Sequence, residues 1–204
     1  RCNGWSGGVL GRYDESIHVE DTGYEYGSDV LIKKNRVPHT GVAGIYVNNV
    51  KGVQIIENDI HDTGEESRDG DGIYVKDSDY ALIKKNDITG AGRDGINVYS
   101  SYRAGIWFND IYAEGGNRHD RNYGQQGAGR DGIHVEYSDK VDIIGNDITA
   151  DLGYDKYRRG RNLGGAVDQL GAGRHGIYVK DSDYADVKFN DVLGDVKTYR
   201  RRVV

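Results

Sequence analysis

The chain has 204 residues, 36% of them hydrophobic, with 31 glycines, 16 tyrosines, one cysteine and a net charge of −6. That charge excludes the basic stripe of a generic nucleic-acid binder, and no apolar run approaches the ~18 residues of a membrane span. The lone Cys2 excludes an internal disulfide and a multi-cysteine metal site.

Residues 1–15 begin without Met, as a processed or excised piece would, and show no secretory signal; they predict a partial coil. A repeat then starts at Ser16-Ile17-His18-Val19 and returns at Gly44-Ile45-Tyr46-Val47, Gly72-Ile73-Tyr74-Val75, Gly95-Ile96-Asn97-Val98, Gly132-Ile133-His134-Val135 and Gly176-Ile177-Tyr178-Val179. Fourteen residues after each of these five glycines stands an asparagine: Asn58, Asn86, Asn109, Asn146 and Asn190. In the first unit Asn35 follows Ser16 by 19 residues, with Gly23 to Gly27 as an insert. Apolar residues fall one, three, nine and eleven places after each start, and another falls two after the asparagine. Spacing of two within each pair is the strand period. Units this short cannot bury an apolar face alone, so they must stack.

From each asparagine to the next glycine the distance is 9, 14, 9, 23 and 30 residues. A bare coil is therefore 14 + 9 = 23 residues, and every insertion leaves from one corner. The prediction is an all-β, right-handed parallel β-helix of three-strand coils, about six coils long, with a 23-residue basic period. It forms one domain over 1–204, with a partial coil at 1–15, repeats over 16–192 and a tail at 193–204.

In such a solenoid each repeat position becomes a column. The asparagines are expected as an internal hydrogen-bonded ladder. The serines Ser78, Ser101, Ser138 and Ser182 are expected as corner residues. Asp59, Asp87, Asp110, Asp147 and Asp191 form a column of like charge, either screened by solvent and lysines or bridged by a hard cation such as Ca²⁺. A further strip follows the variable corner: Asp71, Arg93-Asp94, Arg130-Asp131 and Arg174-His175, beside outward His18, Tyr46, Tyr74, Asn97, His134 and Tyr178. It reads either as an ion-pair flank or as a groove for acidic polysaccharide, since Arg pairs with carboxylates and aromatic faces pack on sugar rings. Substrate-binding candidates are Arg93, Arg130, His134 and Tyr74, with Arg118, His119 and Tyr123 from a long insert. No cofactor is required; Ca²⁺ would fall to Asp71, Asp94 and Asp131.

Gly-Ile-Tyr-Val-Lys-Asp-Ser-Asp followed by Ile-x-x-Asn-Asp-Ile, carried over residues 16–192, resembles the parallel β-helix repeat of the pectate-lyase-like superfamily. That superfamily spans lyases, hydrolases, epimerases, tailspikes and non-catalytic surface proteins, so the resemblance implies the fold and an extracellular or cell-surface setting. Arg174-His175-Gly176 is similar to a coil start of the mannuronan C5-epimerases, although their Asp-Pro-His-Glu motif is absent; Pro38-His39 is followed by Thr40. The polygalacturonase Asn-Thr-Asp segment is absent too. Two roles are open, the first resting on coil ends that the sequence provides no cap to cover and the second on the resemblance. One is a non-catalytic module that stacks on copies of itself into a filament or binds polysaccharide. The other is a uronan lyase or C5-epimerase in which Arg174, His175, Tyr178 and Tyr154 or Tyr157 carry the chemistry.

Overall fold

The computed structural model of the chain describes residues 17–21, 30–63, 70–113, 131–150, 175–192 and 196–199. The expected partial coil at 1–15 and the insert from Gly23 to Gly27 lie outside these residues. So do Arg118, His119, Tyr123, Arg130, Tyr154, Tyr157 and Arg174.

Nineteen strands, β1 to β19 in chain order, and no helix are present among the described residues. They fall into three parallel sheets. The first holds β1 (Ile17–Glu20), β4 (Ile45–Asn48), β7 (Ile73–Lys76), β10 (Ile96–Tyr99), β13 (Asp131–Glu136), β16 (His175–Lys180) and β19 (Val196–Tyr199). The second holds β2 (Leu31–Lys33), β5 (Gln54–Ile56), β8 (Leu82–Lys84), β11 (Gly105–Trp107), β14 (Asp142–Ile144) and β17 (Asp186–Lys188). The third holds β3 (Arg36–Thr40), β6 (Asp59–Thr63), β9 (Asp87–Thr89), β12 (Asp110–Ala113), β15 (Asp147–Ala150) and β18 (Asp191–Val192). Each strand pairs with the equivalent strand one coil away, so the expected solenoid of three-strand coils is the fold. The register is the repeat's own, as in Ile45↔Ile73, Ile73↔Ile96, Ile96↔Ile133 and Ile133↔Ile177.

The apolar columns line the inside. In the coil from Gly72, Ile73, Val75, Ala81, Ile83 and Ile88 are all buried, and the same five positions are buried in the coils from Gly44, Gly95 and Gly132. Burying each isoleucine is worth about 1.5–3 kcal/mol, which is how a chain so poor in apolar residues still holds a core.

Single left-handed residues turn the corners. One column is Asp21, Asn49, Asp77, Ser100, Tyr137 and Asp181, with φ between 47° and 53°. A second is Gly52, Tyr80, Arg103, Lys140 and Tyr184, and a third is Lys34, Glu57, Lys85, Phe108, Gly145 and Phe189. This geometry costs an L residue about 1–2 kcal/mol, so the stacked coils must hold it in place.

They do so partly through two side-chain ladders. Asn58 Oδ1 accepts from the backbone N–H and the amide of Asn35, Asn86 Oδ1 does the same for Asn58, and the pattern runs through Asn109 and Asn146 to Asn190. Each serine Oγ accepts the N–H of the equivalent residue in the preceding coil and donates to a carbonyl two residues back. Both columns are therefore structural, as expected. The coil-starting glycines are required by close approach: a Cβ on Gly95 would lie 2.6 Å from the carbonyl oxygen of Gly132.

Residues 196–199, within the expected tail, add β19 as a seventh rung of the first sheet. Val196-Lys197-Thr198-Tyr199 pairs with Ile177–Lys180 without a starting glycine or a following asparagine.

Candidate functional site

The residue preceding each coil-starting glycine lies at the entrance of the first sheet. Asp71, Asp94, Asp131 and His175 occupy this position in four successive coils, and Asp131 and His175 are register partners. Expected as an ion-pair flank or the edge of a groove, they are buried: Asp71, Asp94 and Asp131 are 0–2% exposed and His175 is 6% exposed. Burial is tolerable because neighbouring coils supply the hydrogen-bond donors that water otherwise would. Asp71 Oδ1 accepts from the N–H of Asp94 at 3.1 Å, and Asp94 Oδ1 accepts from the N–H of Asp131 at 3.0 Å.

Asp71 is saturated. Arg93 binds both its oxygens, with Nε 2.9 Å from Oδ1 and Nη2 on Oδ2, and the amide of Asn97 donates to Oδ2 at 3.1 Å. Burial alone would lower the Arg93 pKa, but the hydrogen bond and charge of Asp71 outweigh it and raise it. The same guanidinium lies over the ring of Tyr74 at 5.7 Å. Burial raises the Tyr74 phenol, against the pull of Arg93. Arg93 and Tyr74, expected as ligand contacts, are thus tied into an ion-pair flank.

Two coils beyond Asp71, the arrangement changes. Asp131 holds two imidazoles, with His134 Nδ1 2.8 Å from Oδ2 and His175 Nδ1 2.8 Å from Oδ1. A carboxylate accepts, so each Nδ1–H donates to Asp131 and each Nε2 points away from it. His134 Nε2 lies 3.5 Å from Glu136, which Lys180 also engages. Tyr178 stacks on both rings, at 4.8 Å from His175 and 5.1 Å from His134, and meets Tyr199 of the seventh rung at 5.8 Å. The expected pair His175 and Tyr178 is therefore brought together, and His134 joins them. His134 and Asn97, expected to point outward, are each only 4% exposed because these polar neighbours cover them.

The role of Asp131 as an anchor for two histidines was not anticipated. The signal available was Asp131 three residues before His134, with His175 in the matching place one coil on. Glu136 and Tyr199 were missed as well; nothing in their own segments marks them.

Donor atoms of Asp94, Asp131 and His134 lie within 4.8 Å of one another, whereas Asp71 is taken up by Arg93 and Asn97. Calcium takes oxygen ligands, and imidazole suits transition metals better. The donor set thus differs from the three carboxylates expected for Ca²⁺.

A family model described as "right handed beta helix region" matches residues 43–194. The chain belongs to the right-handed β-helix family. No curated protein gives a significant match. Among solved structures, the periplasmic alginate epimerase AlgG is similar at 19% identity, with a TM-score of 0.49 over 85% of this chain and 43% of that one. A single mutant of AlgG gives 19% identity and a TM-score of 0.49 over 84% and 39%. A double mutant gives 21% and 0.47 over 91% and 42%. The chain spans about two fifths of the length of those structures. The β-helix family hosts many activities, so function must be argued from the site. No helix among the described residues is long and apolar enough to cross a membrane.

Proposed function

We propose that the flank of the first sheet is an acid–base site acting on an acidic polysaccharide, with chemistry of the uronan lyase or C5-epimerase type. The observation that carries this reading is Asp131 holding His134 and His175 through Nδ1 beneath Tyr178. A solenoid corner needs no such cluster: the preceding coils satisfy the same position with backbone donors and one arginine. Holding His175 through Nδ1 fixes its ring and leaves Nε2 as the nitrogen available for proton transfer. His175 would take the proton from the carbon beside the uronate carboxylate; Tyr178 would then either protonate the opposite face of that carbon, inverting it, or protonate the glycosidic oxygen that leaves as its C–O bond breaks and the double bond forms. Polymers of this kind lie outside the cytoplasm, so this reading carries with it a periplasmic, cell-surface or extracellular setting.

The test is incubation with alginate, pectate and related uronans, followed by unsaturated-product absorbance and C5 inversion by NMR. We expect turnover that His175→Gln and Tyr178→Phe each reduce by about 10²–10⁴-fold. No turnover on any uronan, or turnover indifferent to His175→Gln, overturns the proposal.

A second reading is a self-stacking module. It rests on exposed Phe189, Val196 and Tyr199 in the last two rungs, at 83%, 49% and 52%. Under that reading sedimentation shows concentration-dependent assembly that Phe189→Ser weakens; a monomer at every concentration excludes it.

A further inference from the structure

The second sheet carries a feature the first-sheet site does not use. A shallow, open groove of about 490 Å³ runs across its outer face, lined by Tyr80, Leu82, Arg103, Gly105, Trp107 and Lys140, with Asp142 and Tyr184 at its margins. It exists because of one residue. Gly105 stands in register with Leu82 and Asp142, so the column lacks a side chain at that rung. The indole of Trp107 leans into the gap: a Cβ on Gly105 would lie 2.9 Å from its ring.

The cations here differ from several others on the solenoid. Arg93, Lys180 and Lys188 each bind a carboxylate. Lys84, Arg103 and Lys140 have no acid partner among the described residues. They lie over aromatic rings instead: Lys84 is 5.9 Å from the Trp107 ring, Arg103 is 5.9 Å from Tyr80 and 5.4 Å from Tyr102, and Lys140 is 5.2 Å from Tyr102 while donating to its hydroxyl at 2.9 Å. Arg103 and Lys140 in the groove, with Lys84 beside Trp107, thus have no paired acid among the described residues of a chain whose net charge is −6. Such cations retain most of their capacity to bind an anion, because cation–π contact contributes only about 0.5–1 kcal/mol at exposed sites.

We infer that this groove is a docking site for an acidic oligosaccharide, separate from the acid–base site on the first sheet. A sugar ring presents an apolar face to Trp107 and Tyr80, while its carboxylate or sulfate meets Arg103 and Lys140. Asp142, beside Gly105 in the same groove, disfavours the denser charge of a polyphosphate chain. The inference stands on the groove alone and does not depend on turnover at His175.

Titration calorimetry with an oligouronate, a sulfated oligosaccharide, a neutral oligosaccharide and single-stranded oligo-dT tests it. We expect one or both acidic sugars to bind, and the pair identifies whether carboxylate or sulfate is preferred. Arg103→Gln with Lys140→Gln should weaken that binding at least tenfold, and Trp107→Ala should do so independently. Lys34→Gln, which removes a cation outside both sites, should leave the affinity within about twofold; binding reads the groove and uronan turnover reads the first-sheet site, so their failures are distinguished. The arginine and lysine side chains project from corners, and circular dichroism confirms the fold of each variant. Acidic-sugar binding indifferent to both groove variants overturns the inference. So does equal binding of the neutral sugar, tighter binding of oligo-dT, or no binding at all.

Discussion

Asn109 makes its contacts in three directions at once. Its Oδ1 accepts from the backbone N–H and the amide of Asn86, its Nδ2 donates to the carbonyl of Ile83, and its own N–H donates to Asn146 Oδ1. It is 1% exposed, so water cannot replace these partners without opening the corner. Asn109→Ala leaves the Asn86 N–H and the Ile83 carbonyl unsatisfied, at a cost of about 1–3 kcal/mol each. For a chain of this length the loss lowers Tm by roughly 5–15 °C, measured by thermal circular dichroism. A shift below about 2 °C would mean that the ladder is decorative. The ladder was legible in the sequence because Asn recurs fourteen residues after Gly in five coils. The burial of Asp94 and Asp131 was not. Acids are exposed by default, and the donor that makes burial tolerable comes from another coil: for Asp94 it is the N–H of Asp131, 37 residues away.

Along the third sheet the exposed column Asp59, Asp87, Asp110, Asp147 and Asp191 puts like charges in register. His61 and Arg36 partly compensate Asp59, at 2.9 and 3.7 Å. Further along, burial raises the carboxyls of Asp87, Asp110 and Asp147, and the neighbouring aspartates raise them further. A carboxyl raised in the folded state binds protons more readily there than in the unfolded chain. The column's contribution to stability is therefore fully present below the unfolded carboxylate range and is lost as pH rises through the folded values. Glu136 has the opposite sign: burial raises it, but Lys180 lowers it on balance, so its contribution is lost as pH falls. Asp110→Asn isolates the column. It should raise Tm at pH 7, with a gain of about 0.5 kcal/mol, and that gain should vanish near pH 3.5. Equal effects at both pH values would show that solvent already screens the column. The sign of this column was readable from spacing alone; whether solvent neutralises it was not, because that depends on how far each corner buries its carboxyl.

For the molecule as a whole, the repeat predicted the solenoid because every coil resets at glycine, even after a 30-residue excursion between Asn146 and Gly176. The seventh rung escaped prediction because Val196–Tyr199 joins by backbone pairing and carries none of the repeat's marks. Stability in such a stack is close to a sum of coil terms and nearest-neighbour interfaces, so the least covered coils should open first. The core records this gradient. Ile73, Ile96 and Ile133 are fully buried, while Ile17 and Val19 at one end, and Ala185, Val187 and Val192 at the other, are only partly covered. The outermost described coil also holds left-handed corner residues such as Tyr184 and Phe189 that are 80% and 83% exposed. Hydrogen exchange followed by mass spectrometry should therefore find the slowest amides in β7 through β15. Protection should fall progressively through β16 to β17 and β18, and towards β1 at the opposite end. Uniform protection from β1 to β18, lost in a single step, would show that the coils unfold as one unit and that nearest-neighbour coupling outweighs every local difference between them.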